Sequence, residues 1–435
     1  MIASDQAVRD RIRDDLDTTL LVEAAAGTGK TTALVNRIVS VIASGRAELS
    51  RVVAVTFTEK AAGELKLRLR AGIENARQDK RIAADTRKLL DKALEQLEEA
   101  RIGTIHSFCA DLLRERPVEA RVDPMFEVAP EDSANAMFEA AFDRWFEETL
   151  AAPGEAMRRL LRRRDFNDRD GPRAIARRAA DELLKWRDFD TPWQPSPFDR
   201  DREIDAIVGE IESLSKLAHS AEDDDWLGKS LDEIARPALE AIRLEPVRGR
   251  DYDALEAVLL RLASGRRWAW KGFGGDFGDV SRQEIFRRRE QLHERLKKFR
   301  DDSGANLAPM LRDELWPVAG YYGQLKHRAG RLDFLDLLLI ARNLVRDNPA
   351  IRAELQNRFT RIFVDEFQDT DPLQAEIILL LSADDPSQSD WLKVHPVAGK
   401  LFIVGDPKQS IYRFRRADVA LYQDVKQRLL AQGAA

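Results

Sequence analysis

Two short stretches carry residue types that could handle a phosphate chain. The first, Gly27-Thr28-Gly29-Lys30-Thr31, follows the apolar run Leu20-Leu21-Val22-Glu23 and opens a helix. In such a turn backbone N–H groups and a helix N-terminus cradle phosphates, a lysine reaches the terminal ones, and a hydroxyl holds Mg²⁺. Lys30 takes the β- and γ-phosphates and Thr31 the metal; Ala24, Ala25, Ala26, Gly27, Thr28 and Gly29 form the loop, and Thr32 enters the helix. The strict phosphate-loop pattern has glycine where this sequence has Ala24. The second stretch is Ile362-Phe363-Val364-Asp365-Glu366, an apolar run ending in two acids. Asp365 can bind the Mg²⁺ shell, and Glu366 can orient and deprotonate a water that attacks the nucleotide. A surface Asp-Glu pair in a turn is the plain alternative, and the apolar strand before it argues against that.

The elements that must position these residues are short strands followed by helices. Leu20–Glu23, Val52–Thr56, Arg361–Val364 and Lys400–Val404 have the texture of buried parallel strands. From Glu59 to Arg77, Ala62, Leu65, Leu69, Ile73 and Ala76 recur at three- and four-residue spacing, which predicts a helix packed on a sheet. Asp371-Pro372 supplies an N-cap and first-turn proline for the apolar helix that follows. This texture occupies residues 1–115 and 331–435, while residues 116–330 read as helical, with amphipathic stretches such as Asp253 to Leu262 and a proline-rich break from Thr191 to Pro197. The expected fold is α/β: a P-loop domain with a parallel sheet, interrupted by a large all-helical insertion. Ligands then bind at the carboxyl ends of the strands.

A length of 435 residues allows about two to four domains. A single cysteine, Cys109, excludes an intramolecular disulfide framework, and the five histidines are scattered, so a metal has to arrive with a substrate. No apolar run reaches the ~20 residues of a membrane span, and Met1-Ile2-Ala3-Ser4-Asp5 has no signal pattern, so the expected location is cytoplasmic and no membrane partner is expected. A net charge of −6 argues against a surface that is wholly a nucleic-acid footprint, leaving that work to local patches. The arginine-dense stretch Arg158, Arg162, Arg163, Arg164 to Arg178 is one candidate, diluted by Asp165, Asp168 and Asp170, and it reads equally well as a solvated helix face. Arg266-Arg267-Trp268-Ala269-Trp270-Lys271-Gly272-Phe273 suits stacking on unpaired bases, although such loops more often plug their own domain.

Asp365-Glu366-Phe367-Gln368-Asp369-Thr370 resembles the DEFQDT box of UvrD/Rep-type superfamily 1 DNA helicases. Further boxes are similar to that family: Val55-Thr56-Phe57-Thr58-Glu59-Lys60-Ala61-Ala62, Thr104-Ile105-His106-Ser107-Phe108-Cys109, and Asp333-Phe334-Leu335-Asp336-Leu337-Leu338. The run from Val404 through Gly405-Asp406-Pro407-Lys408-Gln409-Ser410-Ile411-Tyr412-Arg413-Phe414-Arg415 is close to a motif of its AddA and RecB branch, as is the alanine at position 24. The motifs cover the two ends of the chain; the middle is assigned by position alone.

The resemblance implies a RecA-like ATP-binding domain and an ATP-dependent DNA helicase or translocase of repair and recombination, moving 3′ to 5′ on single-stranded DNA or from DNA ends. It implies that Gln6 reads the adenine edge, Tyr412 stacks on the base and Gln409 senses the γ-phosphate, with ATP and Mg²⁺ as cofactors. Thr56, Phe57, His106 and Phe414 fall where the family contacts DNA. Family members continue into a second RecA-like motor domain that supplies arginines to the ATP, and this chain is expected to lack it. An arginine supplied that way is worth about 10³–10⁵ in rate, so the isolated chain is expected to hydrolyse slowly and not to unwind DNA. A second helicase–nuclease subunit or a split second motor domain is the implied protein partner. The competing reading is a nucleotide-gated module that binds DNA or a helicase subunit without being a motor; a small-molecule kinase leaves Gln368, Gln409 and Tyr412 unexplained.

Overall fold

The computed structural model describes residues 2–25, 27–163, 171–189, 191–220, 225–243, 245–264, 266–269, 273–409 and 419–435. Ala26, Tyr412 and Phe414, and with them Arg164 and Trp270, lie outside the described residues. The chain forms two compact units, Met1–Ala129 with Gly330–Ala435, and Pro130–Ala329.

Among the described residues, the first unit carries seven strands: β1 (Leu20–Glu23), β2 (Val52–Thr56), β3 (Arg101–Thr104), β4 (Glu127–Val128), β5 (Arg331–Leu332), β6 (Arg361–Val364) and β7 (Leu401–Gly405). Five of them make one parallel sheet in the order β1-β7-β6-β2-β3. β2 and β7 are buried along their whole length, as central strands covered on both faces must be. Alternation along each strand feeds two cores. Val52, Ala54, Phe363, Phe402 and Val404 pack with Leu34, Ile38, Leu65 and Leu69 from helices Lys30–Ala43 and Glu59–Gln78. Val53, Val55, Ile362, Val364, Leu401 and Ile403 pack with Phe108, Leu112, Leu337 and Ile377 from helices Ile105–Glu115, Phe334–Asp347 and Pro372–Ser382. The expected cap at Asp371 is present, its side chain accepting the Gln374 N–H with Pro372 in the first turn.

The boundaries of this unit follow from a second, two-stranded sheet. β4 and β5 pair in parallel, and Ala129 N–H donates to the Leu332 carbonyl at 2.8 Å. That pairing keeps the chain as far as Ala129 in the first unit, beyond the change of texture near residue 115.

The second unit is helical. Its spine is a 47-residue helix, Arg282–Arg328, about 70 Å long at 1.5 Å per residue. Ile285, Leu292, Leu296 and Phe299 of this helix join one core with Ile207, Leu231 and Leu259; Leu315, Val318 and Tyr322 join another with Phe142, Trp145 and Leu160. Trp268 is buried in the first of these cores, donates its indole N–H to the Leu262 carbonyl at 2.7 Å and stacks on His293 at 4.2 Å. It plugs its own domain, so the base-stacking reading of Trp268 does not hold. The arginine-rich stretch is likewise in part an interior feature. Arg159, 1% exposed, makes a two-pronged bond to Glu256 at 2.8 and 2.9 Å, and Arg163 and Arg200 reach the same carboxylate.

Candidate active site at the strand ends

The carboxyl ends of β1, β6 and β7 are neighbours in the sheet, so the loops that leave them converge. After β1 the chain turns through Gly27 (φ 75°) and Gly29 (φ 89°), backbone conformations that L side chains rarely adopt. Thr28 closes the turn, its N–H and hydroxyl both donating to the Ala25 carbonyl. Gly29 is the N-cap of helix Lys30–Ala43 and offers no side chain to its first N–H groups, which leaves them for a ligand. Arg9 steadies the turn from outside, donating to the Thr28 carbonyl at 2.8 Å.

β6 delivers the acids. Asp365 is buried, and its carboxyl is pushed up to about 6, first by burial and then by the charge of Glu366; Lys30 and a hydrogen bond from Thr31 work against that shift. Glu366 stands in the left-handed region at φ 54°, ψ 43°, which costs roughly 1–2 kcal/mol in a residue with a side chain. That turn swings its carboxylate to Lys30, whose ammonium sits 3.2 Å from Glu366 Oε2. The same oxygen accepts from Gln368 Nε2 at 2.6 Å. β7 completes the arrangement: the Asp406 carboxylate accepts from the Gln409 side chain and from the Lys408 N–H at 3.1 Å, and the Gln409 bond holds it below the usual carboxylate range.

Lys30, Thr31, Asp365 and Glu366 are therefore brought together, with Gln409 linked to them through Asp406 and Gln368. Gln6 lies apart from the acids. With Arg9, Asp10, Thr32, Ala33 and Asn36 it lines a cavity of about 130 Å³ beside the first turns of helix Lys30–Ala43, and it donates to Asp10 at 3.1 Å. Ala24 is held to the sheet by its N–H to the Gly405 carbonyl at 3.2 Å.

Of the residues expected to touch DNA, Thr56 ends β2, Phe57 follows it and His106 is in the first turn of helix Ile105–Glu115 after β3, while Phe414 lies outside the described residues. Thr56 is 3% exposed and donates to the Thr58 carbonyl at 3.1 Å, so it shapes the turn after β2. Phe57 is half-buried and lines a small crevice with Asp365 and Glu366. His106 is largely enclosed, edge-on to Phe334 with ring centres 5.4 Å apart, and burial draws its pKa down. Phe334 is exposed beside it.

Three contributors were not assigned from sequence. Gln368 stood in the acidic box with no role, because its role depends on β7, the neighbouring strand. Asp406 is a positional neighbour of Gln409 whose bond to it appears only in the fold. Arg9 sits one helical turn beyond Gln6, a spacing that could have drawn attention to it. Among the described residues, no group of three or more His, Cys, Asp or Glu side chains is arranged to hold a metal by itself, and no helix is long and apolar enough to cross a membrane.

Comparison with known proteins places the chain among relatives of one family. The chain is 28% identical over 444 residues to an ATP-dependent helicase/nuclease subunit from Exiguobacterium sibiricum, covering 93% of this chain and 35% of that protein. ATP-dependent helicase/nuclease subunits from Acetivibrio thermocellus (29% identical; 93% and 35% covered) and Bacillus cytotoxicus (28%; 95% and 36%) are similar. The chain thus spans about a third of the length of these relatives. The model of the UvrD/REP helicase N-terminal domain matches residues 5–429, and the chain belongs to that family.

Proposed function

We propose that this chain is the ATP-binding part of a DNA motor, a helicase or translocase of repair and recombination that acts in the cytoplasm on single-stranded DNA. The observation that carries the reading is the meeting of Lys30 with Glu366 beside the buried Asp365, at the mouth of a loop whose helix N-terminus is uncapped. The donor set suits a divalent ion: Asp365 is a desolvated carboxylate whose neighbour has the same charge, and the Thr31 hydroxyl is beside it. Asp365 and Thr31 would hold Mg²⁺ together with phosphate oxygens, and the ion would neutralise charge on the phosphates. The protein's own part is positional. Lys30 moves from Glu366 to the terminal phosphates, Gln409 senses the last of them, and Glu366 orients and deprotonates the attacking water. Gln6 and Thr32 border the space for the base, and Tyr412 stacks on it. Phe57, His106 and Phe414 face the strand, aromatic stacking there being worth about 1–3 kcal/mol per base, and movement runs 3′ to 5′.

Because its relatives are about three times as long, full activity rests on what the rest of such a protein supplies, including an arginine worth about 10³–10⁵ in rate. A second motor domain or a helicase–nuclease partner subunit is the proposed source. The isolated chain then binds nucleotide, turns it over slowly and does not unwind DNA. The test is ATP turnover and fluorescent-nucleotide binding by the chain with and without single-stranded DNA, beside Lys30→Ala. Nucleotide binding that Lys30→Ala abolishes supports the reading; binding indifferent to that change sinks it. Binding of DNA without any nucleotide response favours a plain docking module.

A further inference from the structure

We propose that Gln368 is a positioning residue that couples the phosphate end of the site to the tip of β7. Its side-chain amide is 2% exposed and spans two strands: Nε2 donates to Glu366 Oε2 at 2.6 Å, and Oε1 accepts the Asp406 N–H at 2.8 Å. The chemistry of the partners fixes which way the amide faces, because a carboxylate oxygen requires a donor and a main-chain N–H requires an acceptor. Glutamine alone provides both at this length. The bonds on either side extend the chain from Lys30 through Glu366, Gln368 and Asp406 to Gln409.

Two further observations support the role. Glu366 Oε2 is shared between Lys30 and Gln368, so when the Lys30 ammonium is drawn elsewhere, Gln368 is the partner that keeps the carboxylate in place. The approach also depends on Gly405. A Cβ at that position would lie 2.9 Å from Gln368 Oε1 and 3.2 Å from a ring carbon of Tyr422, itself buried, so no larger residue leaves the amide where it is. The state of Lys30 is thereby communicated to the main chain of Asp406, from which the segment through Gln409 continues. The coupling is a property of the fold; its use in catalysis rests on the nucleotide reading above.

The experiment is hydrogen exchange at the Asp406 amide in the full chain without nucleotide, for the parent, Lys30→Met, Gln368→Leu and the double variant. Losing the Gln368 acceptor speeds exchange at Asp406 by roughly fivefold or more, the worth of one hydrogen bond. Lys30→Met changes that exchange in the parent background and adds nothing in Gln368→Leu, the non-additivity expected of one network. Gly405→Ala, which displaces the amide without deleting it, gives the same signature and serves if Gln368→Leu does not fold. An effect of Lys30→Met that carries over undiminished into both backgrounds, or none at Asp406 in any variant, overturns the proposal. If the parent also turns over ATP, Gln368→Leu lowers kcat by roughly 10–100-fold with KM little changed; an unchanged kcat overturns the catalytic use of the coupling. A parent that binds no nucleotide defeats the functional reading, while exchange at Asp406 still decides the coupling.

Discussion

Two buried carboxylates, Glu256 in the helical unit and Asp365 in the sheet unit, are treated in opposite ways. In the helical unit Glu256 is 1% exposed, and burial alone would push its pKa up. Bonds from Arg159 and Ser303 and the charges of Arg163 and Arg159 bring it down to about 2. In the sheet unit Asp365 is 6% exposed and pushed up to about 6, first by burial and then by the like charge of Glu366, and the opposing pull of Lys30 and Thr31 does not bring it back down. Glu256 has its cations built in and ties together helices from two cores. Asp365 is short of positive charge, which is what a site awaiting a cation and a phosphate chain requires. A buried acid is thus read by its partners more than by its burial.

The largest effect expected from breaking this contrast is on turnover. Glu366→Gln keeps shape and burial but removes the proposed base, so ATP turnover falls by about 10²–10⁴ while ADP binding persists, as measured by single-turnover assay and equilibrium titration. The next is on stability. Arg159→Met leaves Glu256 buried without its two-pronged partner and costs about 3–5 kcal/mol, whereas Arg159→Met combined with Glu256→Leu recovers most of that loss. Seven of the eight tryptophans lie between residues 145 and 316, so denaturation followed by tryptophan fluorescence reports on the helical unit. Asp365→Asn, by contrast, leaves the nucleotide-free fold at least as stable as the parent, since it removes a desolvated charge.

A third, comparable in size to the loss of a partner, is pH dependence. Glu256 is lowered from 4.5 to about 2 on folding, so its contribution is fully present above about 4.5 and is lost as pH falls toward 2. The amount is on the order of 3 kcal/mol, and an acid titration of unfolding shows it in the parent and a flatter curve in Glu256→Gln. The smallest is local. Thr58 caps helix Glu59–Gln78 by accepting the Ala61 N–H at 3.1 Å, and Thr58→Ala costs about 1 kcal/mol, read by native-state hydrogen exchange in that helix.

The strands that hold the site were legible because each is an apolar run; β2, β6 and β7 are buried along most or all of their length, and the edge strand β1 still reads Leu-Leu-Val. β1, β2 and β6 match the apolar runs, and β7 starts one residue later than its run and ends at Gly405. β3 was not, because Arg-Ile-Gly-Thr is an edge strand, half-buried at three of its four positions, and its composition does not distinguish it from a turn. The long helix Arg282–Arg328 was hidden by Pro309 and Pro317 within it and by a mostly polar surface. In the site, Lys30, Thr31, Asp365 and Glu366 could be read from local pattern, since each stands at a strand end beside its own motif. Gln368 could not be given a role, because its second partner, Asp406, is 38 residues away and adjacent only through the β6–β7 pairing. At Trp268 the sequence left two readings open, because a side chain that could bind a ligand is equally able to satisfy its own backbone, and the fold shows the latter.

The central claim is that Asp365 completes a cation and nucleotide site with Lys30. Its most direct test is titration of a fluorescent ATP analogue, with and without Mg²⁺, into the parent chain, Asp365→Asn and Lys30→Ala. The account predicts that Mg²⁺ tightens binding to the parent and has no effect on Asp365→Asn, with Lys30→Ala weak in both conditions. Undiminished Mg²⁺ dependence in Asp365→Asn would contradict it.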